Sequence, residues 1–333
     1  MPTAAVVGCG DVSSVHFEAI AKNPAIDLVA VVDTDPERRA ASSAAYGVPG
    51  FGDHREMITA ISPDAVHICT PHHQHVPVAV DCLEAGVNVI MEKPLAHTMA
   101  EGDRLIAVAE QTSAKIAVCF QNRYNAAVQA LRERLDSGDV GQVIGASATV
   151  IWHRTADYYR SRDWRGRWET SGGGLLINQA IHTLDLLQWL VGDVTEVRGH
   201  AATHALAEVI EVEDTAEIVL KHVNGVQSVF YATLANAVNS PITVDIATEK
   251  ATLSLRGDLT ITHLNGDVEV VSERLAESGG RAYWGVSHEL LINDFYEQLD
   301  DPNPFWISPR EAGKSLRILK DVYDQSYPNF GFR

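Results

Sequence analysis

The chain has 333 residues, enough for about two domains that each bury a core of their own. Apolar residues make up 46% and charged residues 21%, which excludes disordered, collagen-like and coiled-coil chains. The 26 Lys and Arg against 44 Asp and Glu leave a net charge of −18, the wrong sign for a partner made of phosphates, so nucleic acid and anionic membrane are excluded as partners.

Up to about residue 120, short β-rich runs alternate with helical patterns, the rhythm of parallel strands joined by crossover helices. Strands are predicted at residues 4–7, 28–32, 65–69, 87–91 and 116–120, and helices at 14–21, 37–45, 55–60, 76–85 and 100–110. Asp53 is an N-cap for the third helix, Thr98 and Glu101 have capping-box spacing, and Gly86 closes the fourth helix. After Asn125 the pattern changes. A helix at 126–137 leads into longer β-rich stretches at 143–151, 194–203, 216–222, 226–234, 242–248 and 251–255. Asn224-Gly225 and Asn265-Gly266 supply the positive φ angles of tight hairpins, so this half reads as a mostly antiparallel sheet. A long helix at 174–191 interrupts it, and two more follow at 287–299 and 309–326. The last opens with Ser308-Pro309-Arg310-Glu311, a capping box with proline at the first helical position.

A first domain over residues 1–122 and a second over 123–333 follow from this change of rhythm, with the last helix free to pack back on the first domain. No flexible linker separates them, so a ligand is expected at their seam. Four cysteines (Cys9, Cys69, Cys82, Cys119) lack any CxxC pair and suit reduced thiols. With no basic leader and no stretch long enough to cross a bilayer, a soluble cytoplasmic protein is expected.

Gly8-Cys9-Gly10-Asp11-Val12-Ser13 follows the first strand and opens the first helix, the setting of a dinucleotide-binding turn. Gly8 and Gly10 permit the tight turn and close approach to a pyrophosphate, while Ser13 stands where a third glycine is usual. Asp33 ends the second strand 20 residues later, where an acid meets the ribose 2′-hydroxyl and repels a 2′-phosphate. NAD is therefore favoured over NADP, with Thr34 and Arg38 beside the ribose position. Thr70-Pro71-His72-His73-Gln74-His75 has the look of a metal cluster, but it follows a strand at the carboxyl edge, where loops line the nucleotide crevice. Three crowded histidines on one loop rarely converge on one ion, so no metal is expected, and each histidine could equally be a solvated or hydrogen-bonded loop residue. Cys69, Thr70, Pro71, His72 and His75, with Glu92 and Gln121 after later strands, join the expected cofactor contacts.

Glu92-Lys93-Pro94 follows the fifth strand at the same edge, where a lysine can donate a hydrogen bond or proton to a substrate oxygen. In the long helix, Asn178, His182, Asp185 and Trp189 fall on one narrow stripe between aliphatic flanks. A polar stripe is costly to bury, so it is expected to face a cleft with His182 as general base. The alternative is a core histidine paired with Asp185.

Taken together, GCGDVS, the TPHHQH loop, EKP, the QNRY segment (Gln121 to Tyr124) and GGG…NQAIHTLD run in one order over essentially the whole chain, and the sequence resembles the Gfo/Idh/MocA oxidoreductases. The resemblance implies an α/β Rossmann domain followed by an α+β domain with an open-faced, mostly antiparallel sheet. It also implies NAD(P)-dependent oxidation or reduction of a sugar, inositol or related polyol, with Lys93 and His182 in catalysis and a homodimer or homotetramer built through the second sheet. Asn178 departs from the aspartate that relatives often carry four residues before the histidine; an amide can orient an imidazole but cannot take up its proton. Either Lys93 then carries more of the proton transfer or Asp185 is the carboxylate partner. Trp164 and Arg165, in the segment of aromatic and arginine residues from Tyr158 to Trp168, suit stacking on a sugar, though an interface or lid loop would look the same. Tyr283 and His288 resemble positions where relatives touch substrate. A ketoreductase, a sugar or sugar-nucleotide oxidase that retains its cofactor, and a non-catalytic NADH-binding regulator are the alternatives.

Overall fold

The computed structural model describes residues 1–273 and 287–329 and divides them into two compact units. The first comprises residues 1–96, 100–121 and 287–313; the second comprises 97–99, 122–273 and 314–329. The sequence reading drew its boundary at 122 and left only the last helix free to pack back on the first domain, whereas residues 287–313 belong to the first unit.

In the first unit, strands β1 (Thr3–Val7), β2 (Asp27–Val32), β3 (Gly50–Phe51), β4 (Ala65–Ile68), β5 (Asn88–Glu92) and β6 (Ile116–Cys119) form a parallel sheet of order β3-β2-β1-β4-β5-β6. The near-continuous apolar runs of β1, β4, β5 and β6 are buried, as a parallel sheet covered on both faces requires. The crossover helices are α1 (Ser13–Lys22), α2 (Pro36–Tyr46), α3 (His54–Ile61), α4 (His72–Glu84) and α5 (Met99–Ala109). Asp53 caps α3 by accepting from the Arg55 and Glu56 amides, as its sequence position suggested. Helix α4 starts four residues before the expected 76, directly after Pro71, and absorbs the three histidines.

The second unit begins with α6 (Ala126–Ser137), β7 (Val143–Ile151) and two short helices, α7 (Ala156–Arg160) and α8 (Trp168–Ser171). A π-helical turn at Leu176–Ala180 then runs into α9 (Ile181–Val191). Strands β8 (Val194–Ala202), β9 (Thr215–His222), β10 (Gln227–Thr233), β11 (Thr243–Thr248), β12 (Ala251–Arg256), β13 (Asp258–His263) and β14 (Val268–Val271) complete an eight-stranded sheet ordered β14-β13-β12-β11-β7-β10-β9-β8. Every neighbouring pair is antiparallel except β7 and β10. Alternate residues of β9 and β10 are buried, among them Ile218, Leu220, Phe230 and Ala232, while Val219, Val229 and Tyr231 between them are exposed. The turn at Asn265-Gly266 joins β13 to β14, strands that the sequence patterning had not marked. Helix α10 (Ser287–Glu297) lies against α1 in the first unit, and α11 (Pro309–Ser326) is the last element among the described residues, the Ser308 hydroxyl before it accepting from the Glu311 amide. Among the described residues no helix is long and apolar enough to cross a membrane.

Candidate active site

The order of the first sheet reverses between β1 and β4, the place where open α/β sheets bind ligands beyond their carboxyl ends. Gly8 follows β1 with φ +93°, and a Cβ there would sit 2.7 Å from the Cys69 carbonyl oxygen, so only glycine lets the two strand ends approach this closely. A Cβ on Gly10 would meet nothing within 4 Å, which leaves its backbone open to a ligand. Ser13 stands where the third glycine is usual: buried at the start of α1, it donates to the Gly10 carbonyl at 2.7 Å and ties the turn to the helix. Asp33 accepts from the backbone amides of Cys9 and Asp35, each at 2.8 Å, and from Arg38 through Nε and Nη2, each at 3.2 Å. Arg38 is itself 44% exposed, so it can shift when a ribose takes its place on the carboxylate.

The residues present fit NAD on two further observations. Thr70 Oγ1, two residues past β4, and Gln121 Oε1, two past β6, are buried and have no hydrogen-bond partner among the described residues. Buried polar atoms are nearly always satisfied, so a ligand at this edge would supply what these two lack. With Gly8, Cys9, Gly10, Asp11, Val12, Asp33, Thr34 and Arg38 after β1 and β2, they line the end of the sheet where a dinucleotide belongs.

Two expected cofactor side chains are otherwise engaged. His75 is buried, with Nδ1 2.8 Å from the Pro94 carbonyl and Nε2 2.9 Å from that of Thr70; burial favours the neutral imidazole, whose single N–H donates to one of these two carbonyls. Glu92 is also buried, and its Oε1 meets His16 Nε2 at 3.2 Å and His288 Nε2 at 3.0 Å. The pair of imidazole N–H groups holds its carboxyl well below the usual carboxylate range despite burial. His16 Nδ1 lies 2.9 Å from His67 Nδ1, and His67 Nε2 lies 2.9 Å from the Tyr296 hydroxyl. His288 is thus turned into the core of the first unit and not toward a substrate, correcting the expectation for it. His16, Glu92 and His288 could also ligate a metal ion, and no other such group occurs among the described residues. Hydrogen bonds already satisfy the carboxylate. Lys93 follows directly, half-buried, and its peptide bond to Pro94 is cis.

In the second unit, between residues 171 and 191, the side chains that reach the surface are Asn178, His182 and Trp189; every other residue is buried. Three members of the expected polar stripe therefore do face outward. The fourth does not. Asp185 is 1% exposed and accepts from Arg123 Nε and Nη2, both at 2.7 Å, and from the Ser315 hydroxyl at 2.9 Å. Its carboxylate is saturated by a bidentate ion pair, so it serves neither as a substrate contact nor as partner to His182. Arg123, from the turn after β6, continues over the Trp189 ring at 5.1 Å.

The N-terminus of the helix is anchored by Glu213, which accepts from the Gly174 amide at 2.9 Å, the Leu176 amide at 2.8 Å and the Tyr323 hydroxyl at 2.7 Å. Burial raises its carboxyl to about 6 against these donors. Lys320 donates to the carbonyls of His97 and Gly172, each at 2.6 Å, and burial lowers its ammonium to about 7. Sequence reasoning missed both anchors because neither lies near the helix in sequence. Tyr158 was named only as the start of the aromatic and arginine segment; its hydroxyl accepts from Asn178 Nδ2 at 3.2 Å and Gln179 Nε2 at 3.1 Å. Arg165 lies over the Tyr158 ring at 4.2 Å and over Trp164 at 5.7 Å, so the expected pair of Trp164 and Arg165 is half-exposed beside it. Tyr283 lies outside the described residues.

A model of an oxidoreductase family with an NAD-binding Rossmann fold matches residues 3–120, and one of the GFO/IDH/MocA C-terminal domain matches residues 128–254. The chain is 30% identical over 273 residues to the D-apiose dehydrogenase of Paraburkholderia graminis, covering 79% of this chain and 70% of that protein. The chain belongs to the Gfo/Idh/MocA family. Another relative, the inositol 2-dehydrogenase of Rubrobacter xylanophilus, is 30% identical, but the match spans 58% of this chain and about half of that protein, 54%. Among solved structures, the WlbA dehydrogenase of Bordetella pertussis, in complex with NADH and UDP-GlcNAcA, is 30% identical with a TM-score of 0.84, covering 98% of this chain and 97% of that one. Levoglucosan dehydrogenase in complex with NADH reaches a TM-score of 0.86 over 98% of both chains at 22% identity, a likeness of fold. As a Gfo/Idh/MocA oxidoreductase the chain carries the family's NAD-binding domain.

Proposed function

We propose that this chain is an NAD-dependent dehydrogenase of a sugar, inositol or related cyclic polyol. NAD, when bound, supplies the carbon that accepts hydride. Oxidation of a secondary alcohol removes a hydride from carbon and a proton from oxygen, leaving a ketone, NADH and a released proton. His182 is the general base that takes the hydroxyl proton through its imidazole, and Lys93 is the second catalytic group, its ammonium a donor suited to an oxygen on which charge grows. Asn178 and the Trp164 and Arg165 pair hold neighbouring hydroxyls. Glu92 stays with its two imidazoles and takes no part in the proton transfer.

One observation carries the reading: in a helix where only Trp189 besides them reaches the surface, the imidazole of His182 and the amide of Asn178 are half-exposed one turn apart, in a chain whose other unit bears a dinucleotide turn. A half-exposed imidazole and amide on a mostly apolar helix stand where a polar ligand can reach them. A sugar nucleotide is the second substrate class, favoured by the likeness to WlbA over 98% of the chain. The enzyme acts in the cytoplasm as a homodimer or homotetramer through the second sheet, whose Val219, Val229 and Tyr231 are exposed.

The test is NADH formation over a panel of inositols, pyranoses, pentoses and their nucleotides. Lys93→Ala and His182→Ala should each lower kcat by at least about 100-fold on the active substrate while NAD binding persists. Undiminished turnover in either variant removes that residue from the mechanism. Tight NAD binding with no turnover of any panel member by the wild type would instead mark a non-catalytic NADH sensor.

A further inference from the structure

We infer that Tyr158 is a substrate-binding residue, its phenol donating a hydrogen bond to a substrate hydroxyl beside the one acted on at His182; the inference rests on the dehydrogenase reading above. A phenol oxygen has two lone pairs and one proton. In Tyr158 the oxygen accepts from the amide groups of Asn178 at 3.2 Å and Gln179 at 3.1 Å, which uses both lone pairs. The proton has no acceptor among the described residues, so it points away from the two amides. Asn178 is one of three outward-facing residues of this helix and His182 lies one turn further on, so the phenol proton is presented at the open face that carries the imidazole.

The ring is held for this task. Tyr158 sits in α7, its backbone amide bonded to the Thr155 hydroxyl at the helix cap. The Arg165 guanidinium covers the ring at 4.2 Å and also donates to the Tyr158 carbonyl at 3.1 Å, while Arg154 lies at 5.3 Å from the ring centre. A side chain fixed by stacking on one face, by backbone bonds and by two amides at its tip is preorganised, so a ligand would not have to order it. The arrangement also gives Asn178 a purpose. With an aspartate at that position the phenol would donate its proton back to the carboxylate; with the amide, the polarity reverses and the phenol becomes a donor to whatever lies outside. The substrate class that fits is a polyol with a hydroxyl, and so an acceptor oxygen, on a carbon adjacent to the one oxidised.

Tyr158→Phe removes only the O–H and keeps the ring beneath the guanidinium. The experiment compares wild type and Y158F on the active polyol and on its monodeoxy analogues, with NAD affinity and Tm measured alongside. On the parent polyol, Y158F should lose about 10–100-fold in kcat/KM with NAD affinity unchanged. For one analogue, the wild type should already be poorer by a similar factor, and Y158F should be no worse than wild type. A structural role would instead lower activity by one factor on every analogue. That result overturns the inference, as does parent activity within about twofold of wild type, or a wild type to which no monodeoxy analogue is selectively poorer. The last comparison needs no variant and stands even if Y158F does not fold. A wild type that oxidises no polyol at all overturns the dehydrogenase reading and this inference with it, whereas an active wild type with a uniform loss in Y158F overturns this inference alone.

Discussion

Replacing Asp185 by Ala separates a structural carboxylate from a catalytic one. Asp185 and Arg123 are each 1% exposed and joined by two bonds of 2.7 Å, with the Ser315 hydroxyl on the same carboxylate. Truncating the aspartate removes the carboxylate that takes both 2.7 Å bonds of a buried guanidinium, a change that costs about 3–5 kcal/mol. Against a typical total of about 5–15 kcal/mol that is roughly a fifth of the stability or more. At about 2–4 °C per kcal/mol for a unit of this size, Tm should fall by roughly 6–20 °C. Thermal denaturation followed by circular dichroism reads the shift, and kinetics taken well below the variant's Tm should show kcat within a few-fold of wild type. The double variant R123M/D185L, which fills the space with hydrocarbon, should recover most of the loss, because well-packed apolar side chains replace buried ion pairs at little cost. A Tm within about 2 °C of wild type combined with a large loss of kcat would refute this account and return Asp185 to the role of partner to His182.

Lys320, lowered by burial to about 7 from its ordinary value near 10.5, binds a proton in the unfolded chain that it lacks in the folded one between those pH values, so its contribution to stability rises as pH increases from about 7. Urea unfolding at several pH values should therefore show wild type gaining on Lys320→Met toward alkaline pH; parallel curves would contradict the assignment. Glu213 runs the other way: raised to about 6, it is protonated in the folded chain and ionised in the unfolded one between the ordinary carboxylate range and pH 6, so stability falls as pH rises through that window. Glu213→Gln should abolish that slope and, by leaving three donors facing one carbonyl oxygen, lower stability by about 1–3 kcal/mol in denaturant titrations. Gly8→Ala should weaken NAD binding by at least about tenfold in a fluorescence titration, since its Cβ would press on the Cys69 carbonyl and its φ of +93° suits glycine. Unchanged affinity would show that the turn adapts.

The first unit was legible because its signals are local. Strand runs, caps and the glycine turn are each written within a dozen residues, and parallel sheets bury whole strands, so apolar runs translate directly into β1, β4, β5 and β6. The exposed end of the long helix was legible for the same reason, since periodicity alone puts Asn178 and His182 on one face. Periodicity fixes direction around a helix axis but not what covers it at a given depth. Asp185 shares the stripe by angle, yet Arg123 from a turn 62 residues earlier and Ser315 from α11, 130 residues later, close over it. The strands β13 and β14 escaped for another reason: β13 alternates over just two buried apolar residues, Leu259 and Ile261, and the four residues of β14 leave Val268 and Val270 exposed, so only the Asn265-Gly266 turn between them carried a strong signal.

Glu92 shows how far the local reading can mislead and what corrects it. A charged residue at the carboxyl end of a parallel strand suggests a ligand contact, and its neighbour Lys93 strengthens that impression. The carboxylate is nonetheless buried, and a buried anion must collect donors from wherever the fold provides them. Here they come from α1 and α10, through His16 and His288. Burial keeps His16 and His67 neutral by lowering both imidazoles, and an ionised carboxylate can only accept, so the tautomers follow in sequence. His16 donates from Nε2 to Glu92, which obliges its Nδ1 to accept from His67 Nδ1; His67 Nε2 then accepts from the Tyr296 hydroxyl. One direction of donation runs from α10 through β4 and α1 to the end of β5, and every member depends on the next. Three histidines in unrelated segments thus serve a single charge, and the strand that delivers Lys93 is fixed at its end by a network of which the EKP motif reveals only the acceptor.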